Sequence, residues 1–287
     1  MTRLTTLVSI PFLFLSASVF AADHNFERTL ATGDSPNVIV STGSGYIHLR
    51  PGSGNQVHVA AHLHAGNGWF GGGSGDVESR IDQIVSNPPV VQNGNDITIG
   101  ERHSGDRFRN ISIDYEVTLP QASTIEASTG SGDVELQDVG ARFKGSSGSG
   151  SVRARNLHGP ANLESGSGDI ELTESAPGDV RAQTGSGSVR LNGISGGLKA
   201  GTGSGDIEVN GNPASDWKLD TGSGSVRLTV GSAARFNLNA STGSGSIRTQ
   251  QPIQMQGEIN RHRVNGTVNG GGPTLRINTG SGDVEIK

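Results

Sequence analysis

The sequence predicts an all-β fold: a right-handed parallel β-helix (solenoid) with 18–19-residue coils and an N-terminal β cap region. Three observations predict it. Gly-Ser-Gly recurs in one frame, with first glycines at Gly43, Gly130, Gly148, Gly166, Gly185, Gly203, Gly222, Gly243 and Gly280. From Gly130 the steps are 18, 18, 19, 18, 19, 21 and 37, the last close to two repeats. Apolar residues flank each recurrence with period two, such as Val180/Ala182 before and Val189/Leu191 after Gly185. That pattern marks a half-buried strand on each side. Finally, the text after the corner alternates. Asp133-Val134-Glu135 is followed by Ser151-Val152-Arg153, then by Asp169-Ile170-Glu171, Ser188-Val189-Arg190, Asp206-Ile207-Glu208 and Ser225-Val226-Arg227.

The composition needs this period. Glycine makes up 45 of 287 residues, and only 32% of the chain is hydrophobic and 4% aromatic. Without order in the glycines, such a chain has too few large apolar residues for a globular core and reads as disordered. Stacked coils share one core, so each coil can be thin. Glycine is expected at the corners because the backbone takes φ > 0 there and because stacked coils leave little room for Cβ. The formal net charge is −5, with no basic field of the size nucleic acid or anionic lipid requires. Cysteine is absent, which excludes disulfides, thiolate metal sites, Cys nucleophiles and a lipid-modified N-terminal Cys.

Residues 1–21 read as a signal peptide, from Arg3, the mostly apolar run Leu4–Val19 and the small-residue site around Val19-Phe20-Ala21. No other long apolar run follows, so the product is expected to be exported without a membrane span. Residues 22–120 read as an N-terminal β region that contains a first coil and caps the stack. Val38, Val40, Ile47 and Leu49 surround Gly43. Pro51-Gly52 turns into Val57, Val59, Ala61 and Leu63, and Asn93-Gly94 marks a hairpin. Ile111, Ile113, Tyr115, Val117 and Leu119 alternate before Pro120. Residues 121–287 carry the solenoid repeats. Each is a strand, a Gly-Ser-Gly corner, a second strand and a return loop with residues such as Asn192-Gly193 or Asn212-Pro213.

In-register stacking sets equivalent residues side by side, where like charges repel. The alternating text therefore predicts a structural ladder of Glu135, Arg153, Glu171, Arg190, Glu208 and Arg227 on one outer face. A slip by one coil would put Glu on Glu, so the ladder also specifies register. The ladder breaks at Arg248, which follows Arg227 with no acid between.

From about Asn37 to Lys287 the chain resembles a bacterial β-strand-repeat family labelled "putative adhesin", a domain of unknown function. The likeness rests on Thr-Gly-Ser-Gly-Asp-Val-Glu, on Tyr115-Glu116-Val117-Thr118-Leu119-Pro120, and on the end. That end runs His262-Arg263-Val264-Asn265-Gly266-Thr267-Val268, then Gly270-Gly271-Gly272-Pro273 and Thr279-Gly280-Ser281-Gly282-Asp283. The resemblance implies an exported or surface β-helix and supplies no catalytic residue.

Chemical candidates are few. His58, His62 and His64 share strand parity, with His48 expected to face them across Pro51-Gly52, a pattern that suits Zn or Ni or a pH-sensitive patch. Asp133, Asp169, Asp206 and Asp283 suggest calcium, but their spacing departs from the nine-residue β-roll motif. The same acids lack the pairing that sugar cleavage needs. Trp69 and Phe70, in the glycine-rich segment Gly66–Gly73, are the binding candidates, for a surface glycan or protein. No cofactor is expected. The function expected is an exported, non-catalytic structural or adhesin-like binding module of the bacterial cell envelope, periplasmic or at the surface. Its alternatives are a polysaccharide-active β-helix enzyme, or a regulatory partner that self-associates through the C-terminal coil.

Overall fold

A computed structural model describes residues 24–65, 74–101, 106–255 and 261–287. The signal segment and Trp69-Phe70 lie outside the described residues. The repeats fold as coils of two strands. The first regular coil is β8 (Thr124–Thr129) and β9 (Val134–Gln137), joined by the corner at Gly130. It is followed by β10 (Arg142–Ser147) with β11 (Val152–Leu157), and β12 (Ala161–Ser165) with β13 (Ile170–Glu174). Next come β14 (Val180–Thr184) with β15 (Val189–Ile194), β16 (Leu198–Thr202) with β17 (Ile207–Gly211), and β18 (Trp217–Thr221) with β19 (Val226–Thr229).

One strand of each coil enters each of two sheets, of 12 and 13 strands. In the first sheet Val134, Val152, Ile170, Val189, Ile207 and Val226 stack in register through parallel pairs. In the second, Ile125, Phe143, Ala161, Val180, Leu198 and Trp217 do the same. All of these are buried, so the core is the thin slab between the sheets. Large and small residues share its volume. Phe143 fits because Gly145 stands beside it, where a Cβ would lie 2.7 Å from the ring. Trp217 is buried and donates its indole N–H to the Gly196 carbonyl at 2.7 Å, so this aromatic serves the core.

The corners differ from expectation in one respect. The positive-φ glycines are Gly45, Gly54, Gly94, Gly100, Gly140, Gly193, Gly270 and Gly271, so the regular corners from Gly130 onward do not use that region. Their glycines are required by stacking alone. A Cβ on Gly168 would lie 2.2 Å from the Gly150 carbonyl oxygen, and one on Gly205 would lie 2.0 Å from that of Gly187. The hydroxyl before each corner completes the contact. Thr202 donates to the Gly187 carbonyl of the preceding coil at 2.8 Å and accepts the Gly205 N–H of its own corner at 3.1 Å. Ser165, Thr184 and Thr221 repeat both bonds.

Stack order departs from chain order at both ends. Near the start, β2 (Asn37–Thr42) and β3 (Ile47–Pro51) form the coil around Gly43. The chain then makes β4 (Gln56–Ala65), α1 (Ser74–Ser86), β5 (Val90–Asn93), β6 (Asp96–Gly100) and β7 (Ile111–Leu119). β6 and β7 stack outside the Gly43 coil, and β8 and β9 stack inside it. At the other end β20 (Phe236–Thr242) and β21 (Ile247–Thr249) lie outermost of the parallel coils. The last coil, β24 (Thr274–Thr279) and β25 (Val284–Ile286), inserts between them and β18/β19. The C-terminal coil therefore has neighbours on both sides and offers no end for self-association, which corrects that expectation. Even Lys287 is held, donating its N–H to Leu228 and accepting from Val230.

Antiparallel strands finish the stack. β1 (Asn25–Ala31) pairs with β4, and β4 with β7. On β1 the core-facing parity reads Phe26, Arg28, Leu30, and Arg28 is exposed; an inward-parity charge on an edge strand blocks pairing with a further chain. β5 and β6 form the hairpin expected at Asn93-Gly94, with Asn93 opposite Asp96 and Gly94 at φ 63°. At the far end β22 (Ile253–Met255) and β23 (Arg263–Val268) pair antiparallel onto β20.

The helix α1 is a correction within a region expected to be all β. Its first residues belong to Gly73-Ser74-Gly75-Asp76-Val77-Glu78, the same six-residue text as Gly130–Glu135. The residues after that text decide between helix and strand. Val77, Ile81 and Ile84 recur at helical spacing and are buried, whereas Val134 and Leu136 alternate.

Stacking contact predicts opposite results at two nearby glycines. Gly205→Ala, which meets backbone, is expected to lower unfolding free energy by about 3 kcal/mol. Gly201→Ala, whose Cβ would find nothing nearer than 3.7 Å, is expected to be neutral or mildly stabilising. Urea denaturation followed by circular dichroism checks both.

Candidate functional site

Outward side chains of the first sheet form rows along the stack. The row next to the corners reads Asp133, Ser151, Asp169, Ser188, Asp206, Ser225, Asp283 and Ser246 in stack order. Each Asp accepts the backbone N–H of the next Ser. Asp133 takes Ser151 at 2.8 Å, Asp169 takes Ser188 at 2.8 Å, Asp206 takes Ser225 at 2.8 Å and Asp283 takes Ser246 at 2.7 Å. These are the acids that suggested calcium, and the structure assigns them as coil-to-coil clamps. Burial alone would raise the Asp133 carboxyl, but the Arg153 guanidinium and the Ser151 N–H outweigh it and hold it below the usual range. The Ser246 N–H and hydroxyl hold Asp283 low in the same sense.

The next row is the predicted ladder, with Glu135, Arg153, Glu171, Arg190, Glu208 and Arg227 paired rung to rung. Arg153 reaches Asp133 at 2.8 Å and Glu171 at 3.8 Å; Arg190 reaches Glu171 at 3.6 Å and Asp169 at 3.4 Å. The break expected after Arg227 is absent. Glu285 of β25 stands between Arg227 and Arg248 and lies 3.3 Å from Arg227 Nε. At the other end His48 stands between Glu116 and Glu135, its Nε2 3.5 Å from Glu135. Arg190 leans back toward β13 and Arg227 on toward β25, so a groove of about 340 Å³ opens over Glu208.

The four histidines do not assemble. β7 runs between β3 and β4, so His48 is separated from the β4 histidines by a whole strand, contrary to the face expected across Pro51-Gly52. β7 wins that place because its long apolar alternation pairs with both neighbours. His58 bonds Thr29 at 3.0 Å, His62 bonds Asn25 at 2.9 Å, and His64 bonds Asp114 at 3.0 Å. Among the described residues no group of three or more His, Cys, Asp or Glu side chains could hold a metal ion.

One chemically distinctive residue escaped the sequence reading. Glu174 points into the core on β13, in the inward column of Ile170 and Leu172, and is 7% exposed. Its strand partner is Leu157, and neither carboxyl oxygen has a hydrogen-bond partner. In β11 and β15 the register shifts at Asn156 and Gly193 before Leu157 and Ile194 turn inward; β13 pairs straight through and delivers an acid to the same layer. Desolvation, helped by the charge of Asp179, pushes the Glu174 carboxyl up to about 7. The signal was present in the continued alternation Ile170, Leu172, Glu174.

A family model described as Toastrack DUF4097 matches residues 72–287. No curated protein matches the chain. Among the solved structures that resemble it are three from bacteria. A "putative cell adhesion protein" from Clostridium sporogenes is 12% identical with a TM-score of 0.30, over 92% of this chain and 98% of that one. A "putative adhesin" from Bacteroides fragilis is 12% identical with a TM-score of 0.44, over 92% and 97%. A "putative adhesin" from Parabacteroides distasonis is 9% identical with a TM-score of 0.41, over 92% and 97%. No helix of the described residues is long and apolar enough to cross a membrane.

The clamp row, the ladder and the buried acid predict two outcomes. Between its unfolded value and about 7, the folded Glu174 keeps a proton that the unfolded chain has released, so its contribution falls as pH rises through that window. Glu174→Leu is therefore expected to raise the melting temperature more at pH 8 than at pH 5, by on the order of 2–3 kcal/mol in free energy at the higher pH; calorimetry at both pH values measures it. Glu285→Arg would set three guanidinium groups in register and is expected to cost about 1 kcal/mol, with partial recovery on adding Arg227→Glu. Urea titration of both variants tests the rung.

Proposed function

The chain belongs to the Toastrack DUF4097 family, and from that premise we propose that it acts as an exported, non-catalytic, adhesin-like binding module of the bacterial cell envelope. The observation that carries this reading is the use made of its carboxylates. The row acids next to the corners are spent on backbone N–H groups, and most ladder acids lie beside guanidinium groups. Acids in one row recur at every second coil, roughly 9.6 Å apart at strand spacing, and they serve the stack. What such a molecule offers a partner is two long sheet faces with side chains at fixed intervals. The segment 1–21, with its positive start, apolar run and small-residue site, supports export. Trp69 and Phe70, adjacent aromatic residues in a glycine-rich segment, fit a glycan or protein partner.

A glycan array and a binding screen against bacterial surface fractions test the reading with the purified protein. Selective binding is expected, with a loss of about tenfold for the Trp69→Ala/Phe70→Ala double variant, the scale of one anchor residue. Turnover of an envelope glycan would overturn the non-catalytic assignment, and failure to bind any surface component would leave only a scaffold.

A further inference from the structure

The second sheet treats charge differently from the first. On its outer face Arg181 pairs with Lys199, Lys199 with Lys218, and Lys218 with Arg276, four cations in register on β14, β16, β18 and β24. Neighbouring strands lie about 4.8 Å apart, so the row is about 14 Å long. Like charges directly opposite each other destabilise a sheet. The same coils alternate acid and base on the first sheet, so the repeat was able to avoid this.

Local acids relieve the row only in part. Arg181 Nε lies 3.9 Å from Glu164, and its Nη2 donates to the Gln183 side chain at 2.6 Å. Lys218 lies 2.8 Å from Asp220, whose other oxygen accepts from Asn278. Asp179 and Asp216 flank the row, each with one oxygen on a backbone N–H of the next coil, of Gly197 and Thr274. Lys199 and Arg276 are exposed and have no acid within ion-pair distance among the described residues.

A second observation falls at the same place. Gly201 is the next outward position after Lys199, and it is the glycine that packing does not demand. A Cβ there would meet only the Asp220 carbonyl and the Gln183 side chain, each at 3.7 Å. The missing side chain opens a notch in the face beside Lys199 and Lys218.

We propose that this row and its notch bind a linear acidic polysaccharide with one carboxylate per sugar ring, lying along the stack axis. The inference rests on the binding-module reading above. A polymer of that kind carries one negative charge on every ring, so the carboxylates that face the sheet meet cations of the row. The three outward rows on these strands hold no aromatic side chain, which disfavours a nucleic acid that would bind by base stacking.

Binding of polygalacturonate by the full protein, measured calorimetrically at low and high salt, tests the proposal. Binding that weakens with salt, is absent for the methyl-esterified polymer and falls roughly tenfold in Lys199→Gln/Lys218→Gln is the expected result. Gly201→Glu, which fills the notch and adds an acid at an open position, should reproduce the loss with the fold intact by circular dichroism. Absence of polygalacturonate binding, or binding indifferent to both variants, overturns the proposal. Equal binding of polyphosphate overturns the assignment to a sugar polymer. Selective binding of neutral glycans that survives both variants would remove the basic row and leave the binding-module reading standing, whereas no glycan binding at all would remove both.

Discussion

The approach of one corner backbone to the next governs the rest of the structure. Gly205 sits so close over the Gly187 carbonyl that even a methyl group would be driven into it. That approach lets the Thr202 hydroxyl bridge its own corner to the preceding one. Strand pairing supplies the spacing, but pairing tolerates slips by two residues. The corner does not tolerate them, because its hydroxyl must find a specific carbonyl. Register follows for the apolar columns, the clamp row and the ladder together. A core of mostly Val, Ile, Leu and Ala then suffices, since each residue is covered by its equivalents above and below.

Threading at the ends answers a problem peculiar to stacks. A terminal coil has one neighbour and is the first to open. Here the Gly43 coil lies inside β6/β7, and the last coil lies inside β20/β21. Electrostatics favours the same order. Stacked as the chain runs, β7 would set Glu116 against Glu135, and β19 would set Arg227 against Arg248. Inserting β3 places His48 between the two acids, and inserting β25 places Glu285 between the two arginines. One rule, a charge of opposite sign or a neutral group on each rung, thus accounts for both departures from chain order.

The repeat, the two strands per coil and the ladder from Glu135 to Arg227 were legible because each is a local property repeated in register. What escaped depends on partners distant in sequence. Arg248 reads as a break until Glu285, far along the chain, is seen to stand beside it. His48 reads as part of a histidine face until β7 is seen to run between β3 and β4. The text Gly73–Glu78 shows the limit of motif reading, since the corner sequence becomes the start of a helix when Val77, Ile81 and Ile84 recur at helical spacing. Glu174 is a different case. Its inward parity was readable, but the inward layer of Leu157 and Ile194 depends on register shifts at Asn156 and Gly193 that only the structure displays. For the site, the candidates were side-chain types, while the structure assigns most of them to partners already present.

The coil that completes the ladder also carries the argument about function. β25 brings Glu285 between two arginines, which relieves the first sheet. β24, its partner strand in the same coil, brings Arg276 beside Lys218, which loads the second sheet with a further cation. One insertion therefore has opposite electrostatic effects on the two faces. Stability accounts for the first and opposes the second. A stack able to neutralise one face rung by rung, with Asp and Glu available in the same repeat, leaves the other face only partly neutralised at a cost. Gly201 adds to that cost by leaving the strand without a side chain where one would fit. Two departures from the stabilising choice at one spot on an otherwise economical surface are what a contact with an external anion would select, and the paired carboxylates of the first sheet offer no comparable departure.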